Sequence, residues 1–70
     1  MITKTYRVGD MHCANCAMRI ESIEDELPGV VRVEASYKKG LMTVAFDETR
    51  VGDAEIIAAV KRKGYTAQPA

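Results

Sequence analysis

Residues 11–16 read Met11-His12-Cys13-Ala14-Asn15-Cys16, and the hydrophobic period of the chain changes across them. Before this stretch, from Ile2 to Val8, the pattern alternates, with Tyr6 and Val8 on one face and Thr5 and Arg7 on the other, which is the period-two signature of a strand. After it, Cys16, Ile20, Ile23 and Leu27 recur at steps of four, three and four, while Arg19, Glu21, Glu24 and Asp25 take the other faces. That spacing predicts an amphipathic helix beginning between Ala14 and Cys16. Pro28-Gly29 ends it, because proline cannot continue the hydrogen-bond ladder and glycine readily takes the left-handed cap. The hexapeptide is therefore the joint between a strand and a helix.

Further along, Val31, Val33, Ala35 and Tyr37 alternate up to Lys38-Lys39-Gly40, and Met42, Val44 and Phe46 alternate beyond it, so two strands form a hairpin around a short glycine-containing turn. Asp53 is the expected N-cap of a second helix with Ile56, Ala59 and Val60 on its apolar side. Lys61, Arg62 and Lys63 suit its negative C-terminal end, and Gly64 closes it. Tyr65-Thr66-Ala67 is long enough for a last strand, and Gln68-Pro69-Ala70 is expected to fray. The order βαββαβ predicts an α+β ferredoxin-like sandwich, a four-stranded antiparallel sheet with two helices on one face. In that topology the loop after the first strand and the junction after the second helix share one end of the sheet. Cys13, Cys16, Gly64 and Tyr65 are thus expected to be neighbours.

The chain has 70 residues and no linker or low-complexity segment, so residues 1–70 read as one domain. At this size a single core is only marginally stabilising, and a metal or cross-link would help. A 47% hydrophobic and 29% charged composition is that of a folded globule. Ten Lys plus Arg balance ten Asp plus Glu, which removes any net field for nucleic acid or an anionic membrane. Tyr6, Tyr37, Phe46 and Tyr65 are too dispersed for a base-stacking platform, so nucleic-acid binding is not expected. The first ten residues lack the apolar core, about 7–15 residues long, of a secretory signal, and no stretch reaches the roughly 18 apolar residues of a membrane span. A cytoplasmic location without membrane insertion is the default expectation. A reducing compartment disfavours a permanent disulfide and leaves the two thiols to metal binding or redox chemistry.

With Cys13 just before the helix and Cys16 in its first turn, unpaired N–H groups and the positive helix end favour thiolate. Two thiolates on one ion form a low-coordinate soft site that suits Cu(I), whereas structural Zn(II) usually takes four protein ligands. His12 is the only histidine and the only further conventional soft or borderline ligand, either supplying a third donor that admits Zn(II) or pointing to solvent. Met11 carries a thioether, but closing a core is the commoner use of such a residue. A disulfide oxidoreductase is the rival from another class. Ala14-Asn15 lacks the proline expected between its cysteines. No substrate is turned over in the metal reading, so the chain is expected not to be an enzyme.

The run MHCANC after a first strand, the helix ending LPGV, the hairpin and the final KGY together resemble the heavy-metal-associated domain family. These are small copper chaperones and N-terminal metal-binding domains of P-type copper ATPases. The resemblance runs from Thr3 to about Ala67 and rests on a Met-X-Cys-X-X-Cys motif in the joint between strand and helix. It implies Cys13 and Cys16 as metal ligands, Met11 tucked beneath the loop, and Tyr65 facing and shielding the metal. Lys63 is either a solvated helix-end charge or a counter-charge for a bis-thiolate centre. The cluster Lys61-Arg62-Lys63 and the acids Glu21, Glu24, Asp25 and Glu26 are either complementary docking patches or ordinary solvated faces. The resemblance implies delivery of Cu(I), with Zn(II) or Ag(I) as alternative ions, to or from a copper-transporting P-type ATPase or a copper chaperone. A monomer is expected, with a metal-bridged dimer as the alternative. Many members have glycine directly before the motif methionine; here Asp10 stands there and Gly9 one place earlier, so the loop geometry is expected to differ slightly.

Overall fold

The change of period is realised as a strand, β1 (Ile2–Arg7), a loop, and a helix, α1 (Ala14–Glu21). The computed structural model describes residues 1–70. A single helical turn, α2 (Ile23–Glu26), follows α1, and then come β2 (Val30–Ser36), β3 (Leu41–Phe46), α3 (Asp53–Arg62) and β4 (Gln68–Pro69). The strands form one sheet in the order β2-β3-β1-β4 with every neighbouring pair antiparallel, the ferredoxin-like arrangement. Alternate sheet residues, Tyr6, Val33, Met42, Val44 and Phe46, are buried against Ala17, Ile20, Ile23, Ile56, Ala59 and Val60 of the helices. Removing each large side chain from water contributes roughly 1.5–3 kcal/mol, so this layer contact holds sheet to helices more than any single polar link. No helix is long and apolar enough to cross a membrane.

Four local expectations are corrected. The first helix is interrupted at Ser22, whose hydroxyl donates to the Arg19 carbonyl, a competing local bond that bends helices. The apolar stripe survives the break, since Ile20 and Ile23 are both buried. In β2 the register slips between Val30 and Arg32, so Val30 faces the core and Val31, the extra residue of the bulge, is 53% exposed. The N-cap of α3 is Gly52; Asp53 is its first helical residue and caps nothing. Its carboxylate instead accepts from the Tyr6 hydroxyl at 2.5 Å and from Lys4 Nζ at 2.7 Å, tying the helix start to β1. Burial and this carboxylate together push the Tyr6 phenol far above its usual range. Finally, the last strand is not Tyr65–Ala67 but Gln68–Pro69, paired with Arg7 and Tyr6, and the Ala70 N–H donates to the Thr5 carbonyl.

Acidic residues of α1 and α2 also have structural work. β2 lies at the sheet edge, with N–H groups facing away from β3. Glu24 accepts the Val33 N–H at 3.0 Å and Glu21 the Ala35 N–H at 3.1 Å, which covers an edge otherwise open to pairing with another chain. Glu26 pairs with Lys63. Three of the four acids proposed as a docking patch are thus engaged within the fold.

After α2 the chain reverses through Gly29 at φ +98°, and a Cβ there would lie 2.9 Å from Arg50 Cβ and 3.1 Å from Val51 Cγ1. Both conformation and space require glycine at this position.

Candidate metal centre

The loop between β1 and α1 is pinned at both ends. Val8 is fully buried and its N–H donates to the Gly40 carbonyl of the hairpin turn at 2.7 Å. Met11 is 3% exposed and belongs to the core, as the family resemblance implied, so its thioether closes the floor of the loop. Between these anchors and the helix, His12 and Cys13 stand at the surface.

Cys13 is the N-cap residue of α1, in extended conformation at φ −148° and ψ 171°, and its carbonyl accepts the Ala17 N–H at 3.2 Å. Its side chain caps nothing and is exposed. Cys16 lies in the first turn and is half-buried. The two sulfurs are 3.2 Å apart, well beyond the ~2.05 Å of a disulfide, and both are free thiols.

The Cys16 thiol is lowered to about 6 from an ordinary value of 9.0, chiefly by the nearby Tyr65 hydroxyl, then by the backbone of His12 and the Cys13 thiol. Burial opposes this but does not prevail. A thiol lowered this far is mostly thiolate at neutral pH, the form that binds a soft metal. The same contact raises the Tyr65 phenol, since the hydroxyl must keep its proton to serve the sulfur.

Tyr65 reaches the site through the end of α3. The Gly64 N–H donates to the Lys61 carbonyl and the Tyr65 N–H to the Val60 carbonyl at 3.3 Å, with Gly64 at φ +97°, a glycine-dependent reversal that turns the chain back over the core. Cys13, Cys16, Gly64 and Tyr65 therefore meet at one end of the sheet, as the topology predicts. The Lys63 ammonium is bonded to Glu26, which holds that carboxyl below the usual carboxylate range and ties α2 to the end of α3. His12 is exposed, and no group of three His, Cys, Asp or Glu side chains suited to a metal comes together in the protein.

One site-forming residue escaped the sequence reading. Asp10, noted there only as a departure from glycine, places both carboxylate oxygens at 3.1 and 3.2 Å from the Thr66 N–H, joining the thiol loop to the Tyr65 loop. The only signal was its type, an acceptor of backbone N–H groups in loops.

Residues 5–66 match the family model described as the heavy-metal-associated domain. The copper chaperone CopZ of Enterococcus hirae is 36% identical over 63 residues, covering 90% of this chain and 91% of that protein. A zinc-transporting ATPase of Synechocystis sp. is 32% identical over 64 residues, which are 91% of this chain but only 9% of the ATPase. Among solved structures, a copper binding domain from HMA7, a P-type ATPase, superposes with a TM-score of 0.94 over 100% of this chain and 95% of that one at 23% identity, a likeness of fold.

Proposed function

The chain belongs to the heavy-metal-associated domain family, and from that premise we propose that it binds one Cu(I) through Cys13 and Cys16 and hands it to a partner protein by thiolate exchange. The observation that carries this reading is the pair of free sulfurs 3.2 Å apart at a helix start, one of them already lowered to about 6. Metal–sulfur bonds of about 2.3 Å place two sulfurs roughly 3.8–4.6 Å apart between tetrahedral and linear geometry, so a modest rotation of the exposed Cys13 side chain opens the pair to an ion. Two soft anionic donors suit Cu(I), and Ag(I) is the natural monovalent surrogate.

Exchange follows from the unequal exposure of the thiols. An incoming partner thiolate adds to the ion, the exposed Cys13 leaves and regains a proton, and Cys16 holds until a second partner sulfur arrives. Each step makes one metal–sulfur bond as it breaks another, without oxidation or reduction. The partner is a copper-transporting P-type ATPase or a copper chaperone, by analogy with the relatives; the domain acts on the ion's location and not its chemistry.

Zn(II) handling is the second reading, motivated by the zinc-transporting relative and by His12 beside Cys13. An anaerobic competition titration separates the two. Reduced protein is expected to withdraw one equivalent of Cu(I) from a chromophoric chelator, with Cys13→Ser/Cys16→Ser withdrawing none and Zn(II) bound far more weakly. Tight Zn(II) binding abolished by His12→Ala would replace the copper reading.

A further inference from the structure

We infer that Asp10 is a positioning residue for the site: by clamping the Thr66 N–H it holds the loop of Tyr65 to the loop of Cys13, and so slows the loss of bound metal. The consequence for metal rests on the copper-binding reading above, while the clamp itself belongs to the metal-free protein.

Asp10 is built like a fixed post. It sits between Val8 and Met11, which are 0% and 3% exposed, so the backbone on either side is set by the core. Its carboxylate offers both oxygens to one N–H, at 3.1 and 3.2 Å, and a charged acceptor makes a stronger bond than a neutral one. On the far side, Thr66 lies between half-buried Tyr65 and Ala67, which is 3% exposed. Tyr65 thus has two backbone anchors, its own N–H on the Val60 carbonyl and the next residue's N–H on Asp10. The first fixes the loop to its own helix and says nothing about distance to the thiols. Only the second spans from the Tyr65 loop to the Cys13 loop. Without it the Thr66 N–H has no other protein partner, and the Tyr65 loop is free to move away from the thiol loop. A phenol held beside a metal-binding sulfur screens it from water and restrains exchange, and supporting groups of this kind commonly tune metal sites.

The test uses wild type, Asp10→Ala, Asp10→Asn, Tyr65→Phe and the Asp10→Ala/Tyr65→Phe double variant. In the metal-free protein, amide hydrogen exchange at Thr66 is expected to accelerate in Asp10→Ala, and the nuclear Overhauser contact between the Tyr65 ring and Cys16 to weaken. Asp10→Asn, which keeps a side-chain oxygen acceptor, is expected to restore both. In the Cu(I)-loaded protein, transfer to a chelator is expected to speed up about fivefold in Asp10→Ala, the size of one net hydrogen bond, and no further when Tyr65→Phe is already present. Unchanged Thr66 exchange and an unchanged ring contact in Asp10→Ala would overturn the inference, as would multiplying rate effects in the double variant. If wild type takes up no copper, the functional reading fails, and the Thr66 and Tyr65 signals of the metal-free protein still decide the role of Asp10.

Discussion

The two long helices both begin without a side-chain cap, yet their first turns are furnished in opposite ways. α3 carries Asp53 and Glu55 in its first turn, and Asp53 is bonded to Lys4 and Tyr6 of the sheet. α1 has no acidic residue in its first turn, and the group that becomes an anion there is the Cys16 thiol. A helix N-terminus is a centre of positive potential of modest strength, stabilised by whatever negative charge sits nearest. At α3 that charge is a carboxylate fastened to a strand, which stabilises the fold. At α1 it is a half-buried thiol fastened to no strand, which on the proposed reading stays available to an ion. The same feature of helix geometry is committed to structure at one end of the molecule and, on the proposed reading, kept open for a ligand at the other.

The largest effects come from exchanging what each helix start supplies. Cys16→Ser is expected to weaken Cu(I) binding by more than about a hundredfold, beyond the loss typical of a supporting partner, with little change in thermal stability below pH 6, where the thiolate no longer contributes. Asp53→Ala is expected to do the reverse, lowering Tm by roughly 5–10 °C because it strands the buried Tyr6 hydroxyl, with Cu(I) affinity within about twofold of wild type. Calorimetry and the chelator competition, run on both variants, measure the crossing directly. If either variant damages both properties equally, the two ends are not separable.

A middle-sized effect lies in the pH dependence of stability. The Cys16 thiol is lowered in the folded state to about 6 from 9.0, so between these values the unfolded chain binds more protons, and stability rises with pH. The gain is fully present above about 9 and is lost as pH falls toward 6. Asp53, held below its usual value first by Lys4 and then by Tyr6, contributes above 3.8, and its gain is lost as pH falls below that value. Denaturant unfolding from pH 3 to 9 should show two separate rising limbs, the upper one absent in Cys16→Ser and the lower one reduced in Asp53→Ala.

The smallest effect is expected from making α1 resemble α3. Asn15→Glu places a carboxylate in the first turn of α1, where it competes for the helix potential. It should raise the Cys16 thiol by about 0.4 pH units, the equivalent of roughly 0.5 kcal/mol, as read by the thiolate absorbance during titration. A thiol that does not respond would mean that its lowering comes from Tyr65 and the local backbone alone.

The architecture was legible in the sequence because it rests on periodicity. Tyr6 and Val8, then Ile20 and Ile23, then Val33, Met42, Val44 and Phe46 all face the core as their spacing predicts. What escaped depends on side chains meeting across the fold. Asp53 looks like a cap until Lys4 and Tyr6 arrive from β1, and Glu21 and Glu24 look like surface charge until they cover β2. The bulge at Val31 was hidden because Val30 and Val31 are chemically identical, so composition could not say which one turns inward. At the candidate metal end, the Met-X-Cys-X-X-Cys spacing pointed to the two sulfurs, and topology brought the Tyr65 loop to their end of the sheet. Asp10 was missed because its partner is a backbone N–H, which no sequence motif records.

The most direct test of the account is transfer itself. Cu(I)-loaded, 15N-labelled protein is mixed without chelator with the metal-free N-terminal domain of a copper-transporting P-type ATPase, and the amide signals of Cys13 to Ala17 are followed. These signals are expected to move to their metal-free positions within the mixing time and reach an equilibrium set by the ratio of the two proteins. Copper that stays on this chain for hours, or leaves only when a strong chelator is added, would contradict a carrier and point to a storage site instead.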